Sequence, residues 1–162
     1  MRAALLTIST SRASGEGEDE SGQRLAALAE SLGAEVAGRE IVPDDRAEIE
    51  SALRRFADEG RCDLVLTSGG TGLAPTDVTP EATRAVIERE APGIAEAIRL
   101  ASREHTPHWM LSRAVAVVRG RTLIVNFPGT PGSIDEAGEA IRNSLPHALE
   151  LLSGGKSRDR HG

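Results

Sequence analysis

The chain has 162 residues, the length of one domain, and its 39% hydrophobic and 27% charged residues are typical of a globular protein. A net charge of −6, with two Phe, one Trp and no Tyr, argues against a nucleic-acid partner, because such surfaces need basic clusters and aromatic stacking platforms. The single cysteine, Cys62, excludes an internal disulfide and a cysteine-rich metal site. No apolar run reaches the roughly 18 residues of a membrane span, so the sequence predicts a cytoplasmic protein without a membrane partner.

The first half of the chain alternates strand patterns with helix patterns. The short apolar run from Ala3 to Ile8 predicts a strand buried on both faces, and the polar segment from Ser9 to Glu20 predicts a loop. Apolar residues at helical spacing predict a helix from Ser21 to Leu32. Val36 to Val42 predicts a second strand, and a helix from Asp44 or Asp45 to Glu59 follows it.

Three further strands are predicted in the second half of the chain, at 63–68, 115–118 and 122–127. Only Arg119-Gly120-Arg121 separates the last two, which predicts a tight hairpin and therefore one antiparallel strand. One helix is predicted from Thr79, as its N-cap, through Arg89, and another from Ile94 to Glu104. The last helical region is predicted from Ser133 to Leu152, with a bend near Pro146.

Strands that alternate with helices predict an α/β fold with a mostly parallel sheet and one antiparallel strand. We expect a single domain over residues 1–154 and a flexible polar tail over 155–162. In such sheets, ligands bind beyond the carboxyl ends of the strands. Four loops are predicted at that edge, namely 9–19, 43–45, 69–77 and 128–132.

A glycine-rich loop, Gly69-Gly70-Thr71-Gly72, directly follows the clearest strand pattern. Glycines let the backbone approach a ligand closely and turn N–H groups toward an anion. The loop is neither a Walker A motif nor a dinucleotide-binding motif, because the required spacing of Gly and Lys is absent. Asp77 follows in the same loop and is suited to holding Mg²⁺ against a phosphate. The alternative interpretation is a tight turn with a helix cap.

A second carboxylate, Asp44, follows the second predicted strand. Taken alone, an Asp before a helix is most often a cap. If the strands before Asp44 and Asp77 are parallel neighbours, however, the two carboxylates emerge at one edge and can share a divalent cation. Two weaker candidates are the stiff Pro128–Pro131 loop, which can shape a pocket wall, and Arg113, which is either a phosphate ligand or a surface arginine.

The run from Thr67 to Thr83 closely resembles the signature of the MogA/MoaB family of molybdenum-cofactor biosynthesis proteins. The segments Met110–Val115 and Arg119–Pro131 resemble that family too, as do Leu6–Ser9, Glu18–Gly22 and Ile41–Asp44. The likeness extends over nearly the whole chain, to about Gly154. The long glycine-rich motif makes a chance agreement improbable.

The resemblance implies a three-layer α/β domain that forms a homotrimer and binds molybdopterin, a pterin with a dithiolene and a terminal phosphate. It also implies a molybdopterin adenylyltransferase that transfers AMP from Mg²⁺-ATP to that phosphate. The two aspartates that the family ties to catalysis correspond to Asp44 and Asp77, which would hold the Mg²⁺. The substrate-binding positions that the resemblance implies or the loops suggest are Ser9, Gly69, Gly70, Thr71, Gly72, Ser112, Arg113, Pro128, Gly129 and Pro131.

Three positions depart from the family pattern. Thr10 stands where the family often has Asp, Thr76 where it often has Arg, and Gly132 where many members have Lys. The last two departures remove cations from the implied phosphate site. They leave open an alternative, a MoaB-like molybdopterin-binding protein with little or no adenylation. A third alternative is a different hydrolase on the same domain, against which the short chain argues mildly.

Overall fold

Six strands form one mixed sheet in the computed structural model, which describes residues 1–155. In chain order the strands are β1 (Arg2–Ile8), β2 (Glu35–Val42), β3 (Leu64–Ser68), β4 (Arg89–Glu90), β5 (Ala116–Arg119) and β6 (Thr122–Phe127). Their order across the sheet is β2-β1-β3-β6-β5-β4. Strands β2, β1, β3 and β6 pair in parallel, whereas β5 is antiparallel to both of its neighbours. The predicted parallel sheet with one antiparallel strand is therefore confirmed.

The helices occupy the segments between these strands. They are α1 (Thr10–Ala13), α2 (Glu20–Ser31), α3 (Arg46–Arg54), α4 (Thr79–Ala85), α5 (Pro92–Ser102), α6 (Pro131–Ile141) and α7 (Leu145–Leu152). A π-helical turn, Arg55–Glu59, extends α3, and a 3-10 turn spans Trp109–Leu111. Within residues 1–155, no helix is both long enough and apolar enough to cross a membrane. The tail predicted for 155–162 lies, beyond Gly155, outside the described residues.

The core consists of two apolar clusters, one on each face of the sheet. Leu5 and Leu66 pack on the face covered by α2, α5, α6 and α7. Their neighbours Leu6 and Val65 pack on the opposite face, which α3 and α4 cover. Because successive strand residues point to opposite faces, a strand covered on both sides needs an uninterrupted apolar run. The three-layer architecture thus explains the sequence pattern of β1 and β3.

One edge of the sheet is formed by β2, whose pairing with β1 is irregular. The register shifts where Ala3 pairs with Val36 and Ala4 with Gly38, so β2 carries one extra residue there. Such a bulge bends a strand and increases its twist. The other edge, β4, has only two residues.

Two predictions about helix positions were wrong. In each case hydrogen bonds to specific residues determine the local structure, and the local composition does not reveal them. The polar segment after Ile8 contains α1, since the Ser9 side chain accepts the Arg12 N–H and caps a short helix. The helix that opens near Thr79 ends at Ala85 rather than continuing through Arg89. Residues 88–91 pair instead with β5, through Glu88 N–H to Val118 O and Ala91 N–H to Ala116 O, at 2.9 and 2.8 Å.

Three helix boundaries also differ from the predictions. Thr79 is the first helical residue of α4, and the N-cap is Val78, which makes no side-chain cap. Helix α5 begins at Pro92 rather than Ile94, because proline is tolerated in a first turn, where its missing N–H has no helical partner. The region 133–152 is two helices rather than one bent helix, and Pro146 lies in the first turn of α7.

Candidate functional site

The four predicted ligand loops lie together at the carboxyl ends of the parallel strands, which we call the ligand edge of the sheet to distinguish it from the outer strands β2 and β4. The carboxyl ends of β2, β1, β3 and β6 share this edge because these strands are parallel. The glycine loop follows β3, between β1 and β6, so it stands near the middle of the edge. The condition that the strands before Asp44 and Asp77 are direct neighbours is not met, because β1 lies between β2 and β3.

Two glycines of the loop adopt backbone conformations that other residues rarely take. Gly69 has φ +95° and Gly70 has φ +68°. A Cβ at Gly69 would overlap the Ile8 carbonyl oxygen, and one at Gly70 would overlap the Thr79 hydroxyl. Thr79 also anchors the loop, since its hydroxyl donates to Gly69 O at 2.9 Å and its N–H to Gly70 O at 3.1 Å. The loop conformation therefore depends on glycine at both positions.

Asp44 lies beside Gly70 and is held by Thr10. Its Oδ2 accepts the Thr10 hydroxyl at 2.9 Å and the Thr10 N–H at 3.3 Å, and its own N–H donates to Thr10 Oγ1 at 3.1 Å. Oδ1 of Asp44 lies 3.3 Å from the position that a Cβ on Gly70 would occupy. The cap of α3 is Asp45, which accepts the Glu48 N–H at 2.9 Å. Asp44 is therefore not the helix cap, and its carboxylate faces the glycine loop.

Asp77 lies beside Gly72, at the other end of the loop. Its Oδ2 accepts the Ala74 N–H at 3.0 Å, while its N–H donates to Ala74 O at 2.9 Å, which closes a tight turn. The same Oδ2 is 2.9 Å from the position that a Cβ on Gly72 would occupy. Since Val78 is the N-cap of α4, Asp77 is part of a turn but does not cap the helix.

Arg113 braces this end of the glycine loop. Its Nε donates to Gly72 O and its Nη2 to Asp77 O, both at 2.7 Å, and its backbone N–H donates to Thr71 O at 2.8 Å. Its Nη1 forms an ion pair with Glu81, and this hydrogen bond lowers the pKa of the Glu81 carboxyl. Three of the five N–H donors of the guanidinium are thus used within the protein. Direct phosphate binding by Arg113 stays a prediction.

A cleft of about 260 Å³ opens at the same edge, beyond β1 and β3. Of the predicted substrate residues, it brings together Ser9, Gly69, Gly129 and Pro131. Gly129 and Gly69 are in close contact, because a Cβ on Gly129 would lie 3.4 Å from Gly69 Cα. The remaining predicted residues do not line this cleft: Asp44, Gly70, Thr71, Gly72, Asp77, Ser112, Arg113 and Pro128.

Sequence reasoning missed several residues that line this cleft, among them Arg12, Asp19 and Ser68. Ser68 is 1% exposed, and its hydroxyl has no hydrogen-bond partner among residues 1–155. Its position immediately before Gly69, at the carboxyl end of β3, was the available signal. Asp19 caps α2 and also accepts the Thr7 hydroxyl at 3.0 Å, so its carboxylate is already satisfied. Among the described residues of the cleft wall, Arg12 is the one cation, and Glu18, Asp19 and Glu20 are the carboxylates.

Asp44 and Asp77 together offer two carboxylates to a metal ion, which is fewer ligands than a cage of protein side chains needs. Across residues 1–155 no group of three or more His, Cys, Asp or Glu side chains is placed to hold a metal. Mg²⁺ usually keeps several waters and is bound by one or two carboxylates together with substrate phosphates. Asp44 and Asp77 each use Oδ2 in the hydrogen bonds above, and neither Oδ1 takes a hydrogen bond from the described residues. One hard oxygen on each carboxylate thus remains for a metal–phosphate unit.

Comparison with known proteins identifies the family. Residues 4–147 match a family model described as a probable molybdopterin binding domain. The crystal structure of the molybdopterin biosynthesis enzyme MoaB from Thermus thermophilus superposes with a TM-score of 0.89 and 48% identity, covering 94% of this chain and 96% of that one. The chain belongs to the MogA/MoaB family. The predicted resemblance is confirmed.

Two further relatives show the range of this family. The molybdopterin biosynthesis Mog protein from Mycobacterium ulcerans is 40% identical, with a TM-score of 0.87, and the match covers 93% of this chain and 97% of that one. A molybdopterin adenylyltransferase from Helicobacter pylori (strain J99) is 45% identical over 115 residues, or 71% of this chain. The matched region spans 65% of the length of that relative.

Proposed function

We propose that this MogA/MoaB protein is a molybdopterin adenylyltransferase, which transfers AMP from Mg²⁺-ATP to the terminal phosphate of molybdopterin. The observation that carries the proposal is the glycine loop with one carboxylate at each end, Asp44 beside Gly70 and Asp77 beside Gly72. Similarity to the H. pylori adenylyltransferase supports it.

In this reaction a phosphate oxygen of molybdopterin forms a bond to the α-phosphorus of ATP. The bond from that phosphorus to the β-phosphate oxygen breaks, and its electron pair leaves with pyrophosphate. Such transfers ask little covalent chemistry of a protein, so positioning and charge stabilisation dominate. Mg²⁺, when bound, supplies positive charge that offsets the charge of the phosphate oxygens.

The side chains and backbone of the loop supply the positioning. Gly69 and Gly70, in left-handed conformations, let the loop bring N–H groups close to an anion. Thr10 fixes the Asp44 carboxylate, and the turn with Ala74 fixes that of Asp77. Each carboxylate is thereby held by one oxygen and offers the other. The cleft lined by Ser9, Ser68 and Gly129 gives the pterin a site next to Gly69.

A second candidate function is molybdopterin binding without adenylation. Thr76 and Gly132 put no cation in the two loops where the family often has Arg and Lys. Similarity to the T. thermophilus MoaB is equally compatible with this second function. It predicts molybdopterin binding that is independent of Mg²⁺ and ATP.

The deciding experiment incubates the full chain with molybdopterin and Mg²⁺-ATP and follows adenylated molybdopterin and pyrophosphate. We expect both products in equal amounts, and neither when molybdopterin or Mg²⁺ is omitted. Tight molybdopterin binding without either product would favour the binding-only function.

Two further expectations accompany this proposal. We expect a homotrimer with one active site per subunit, which light scattering would contradict by giving the mass of a single chain at micromolar concentration. Because ATP is the co-substrate, we place the protein in the cytoplasm, where fractionation of expressing cells should recover it.

A further inference from the structure

A second cleft, of about 300 Å³, lies at the same edge of the sheet, beyond β5 and β4. Strand β5 is antiparallel, so it begins at this edge, and the Ala91 N–H binds Ala116 O there at 2.8 Å. Helix α5 starts at the same point, with Pro92 in the cleft wall. Arg113 borders both this cleft and the glycine loop. The cleft is therefore adjacent to the Asp77 end of the candidate site.

The cleft contains a half-buried arginine without a counterion. Nη1 of Arg99 donates to Ala114 O at 2.7 Å and to Ser112 O at 3.5 Å, which are neutral carbonyl groups. Among residues 1–155, Arg99 makes no ion pair within 4.0 Å, whereas the other two arginines of the cleft do. Arg84 pairs with Glu90 at 3.3 Å, and Arg113 pairs with Glu81. These carbonyl groups satisfy N–H donors but do not neutralise the charge, so an anion from solution is a favourable counterion for Arg99.

Helix α5 adds partial positive charge to the same cleft. The helix has 11 residues, no side-chain cap at its start and no acidic residue in its first turn. Pro92 and Ala95 of that first turn line the cleft. The free N–H groups at a helix start and the helix dipole together favour a bound anion. Glu90 is the carboxylate in the wall that opposes an anion, and its pairing with Arg84 reduces that opposition.

We propose that this second cleft binds the pyrophosphate portion of the nucleotide, which is the β- and γ-phosphates of ATP before transfer and free pyrophosphate afterwards. The assignment rests on the proposed function for its ligand, because adenylyl transfer requires a place for a polyphosphate chain near the glycine loop. The family cation positions hold Thr76 in the glycine loop and Gly132 in the loop at 128–132, and Arg113 already braces the glycine loop. Of the three arginines that line the second cleft, Arg99 is the one without an ion pair among residues 1–155, so it can balance the negative charge.

Calorimetric titration of the full chain with sodium pyrophosphate tests the site without molybdopterin. We expect Arg99→Met to weaken pyrophosphate binding about tenfold, or about 1.4 kcal/mol. Arg121→Met is the matched control, because Arg121 is exposed in the hairpin turn after β5, at the opposite edge of the sheet. We expect its affinity to equal that of the wild type. Equal affinities of Arg99→Met and the wild type would overturn the proposal.

A second variant keeps the test valid if Arg99→Met does not fold. Loss of the Arg99 side chain also removes its hydrogen bonds to two carbonyl groups. Arg84 is an exposed residue, so Arg84→Met should fold, and we expect it to weaken binding about threefold, or about 0.7 kcal/mol. Where Arg99→Met does not fold, Arg99→Gln takes its place, because Gln keeps N–H donors for the carbonyl groups but removes the charge. Unchanged binding in folded Arg84→Met and Arg99→Gln would also overturn the proposal.

Two further titrations identify the ligand. Pyrophosphate should bind more tightly than orthophosphate and should compete with ATP. Equal binding of orthophosphate, or no competition with ATP, would overturn the pyrophosphate assignment. The outcomes stay separate from the proposed function. If the protein adenylates molybdopterin but its pyrophosphate binding does not depend on Arg99, only the assignment of the second cleft is rejected. If pyrophosphate binding depends on Arg99 but no adenylation occurs, only the proposed transferase function is rejected.

Discussion

Asp44 is held by Thr10, which lies 34 residues away in sequence, whereas Asp77 is held by a four-residue turn and by a brace from Arg113. The Asp44 end depends on one exposed residue, Thr10, for all three of its hydrogen bonds. The Asp77 end has several independent supports. We infer that single substitutions near Asp44 disturb the proposed site more than comparable substitutions near Asp77.

Loss of either carboxylate should have the largest effect. Asp44→Asn and Asp77→Asn keep the side-chain shape but remove the charge, so each should lower adenylation by on the order of 10²-fold. The two losses should be far from additive if both residues serve one ion. Initial rates of product formation provide the measurement.

Asp45→Asn is the matched control, since Asn caps a helix as well as Asp does and Asp45 is the observed cap of α3. A near-normal rate in either active-site variant would contradict the shared-cation mechanism.

The glycine loop should be less tolerant at Gly70 than at glycines with open surroundings. Gly70→Ala places a Cβ against the Thr79 hydroxyl in a left-handed backbone, which should cost about 1–3 kcal/mol of stability. Since Gly70 adjoins Gly69, which lines the proposed pterin cleft, the displaced loop should also lower molybdopterin affinity more than tenfold. Chemical denaturation and fluorescence titration measure the two effects. Gly132→Ala meets no atom within 4 Å and should leave both close to wild type. Similar behaviour of the two variants would show that the loop conformation is unimportant.

Thr10 offers the direct test of the difference between the two ends. Thr10→Val is isosteric but loses the hydroxyl that holds Asp44, so adenylation should fall about tenfold, mostly through kcat. Thr10→Ser restores the hydroxyl and should stay within about twofold of wild type. Because Thr10 is exposed, the melting temperature should not change in either variant. Equal adenylation rates of Thr10→Val and Thr10→Ser would mean that the hydrogen bonds from the Thr10 hydroxyl are not needed to position Asp44.

The smallest expected effect concerns the pH dependence of the brace. The hydrogen bond from Arg113 lowers the pKa of Glu81 in the folded state, below its ordinary value of 4.5. The pair therefore stabilises the fold above that ordinary value, and the stabilisation is lost as the pH falls through the lowered pKa. Its size should be below about 1 kcal/mol, because the Glu81 side chain is 39% exposed and screened by solvent. Urea unfolding of wild type and Glu81→Gln should differ at pH 7 and converge as the pH falls through the lowered pKa of Glu81. A constant difference across this range would exclude the pair as its source.

The parts of the fold that can be predicted from the sequence are the strands that are buried on both faces of the sheet. Strands β1 and β3 appear as apolar runs because helices cover both faces, and the α/β class follows from their alternation with helices. Strand β4 has no such signal, since Arg89 and Glu90 are exposed and are defined only by their pairing with β5. The order of strands across the sheet is also absent from the local pattern. For this reason, the position of β1 between β2 and β3 could not be anticipated.

The candidate site shows the same division between local and distant information. The glycine loop and both aspartates follow predicted strands, so their common edge could be anticipated. The partners of Arg113 lie 41, 36 and 32 residues away in sequence, and no local pattern connects them to it. Ser68 lies in a buried strand, and its pattern alone does not distinguish it from an ordinary strand residue. The cleft beside it and the lack of a hydrogen-bond partner within residues 1–155 are visible only in the fold.

The two edges of the sheet bear on how copies of this chain can associate. An open edge with unpaired backbone groups invites another chain to add a strand, which is a route to aggregation. Here β4 exposes only two residues, and β2 is bent by the extra residue between Val36 and Gly38. Arg39 and Glu40 place charged side chains along β2 as well. A continuous sheet across two copies is therefore disfavoured, so any copies of this chain that associate should meet through helices and side chains.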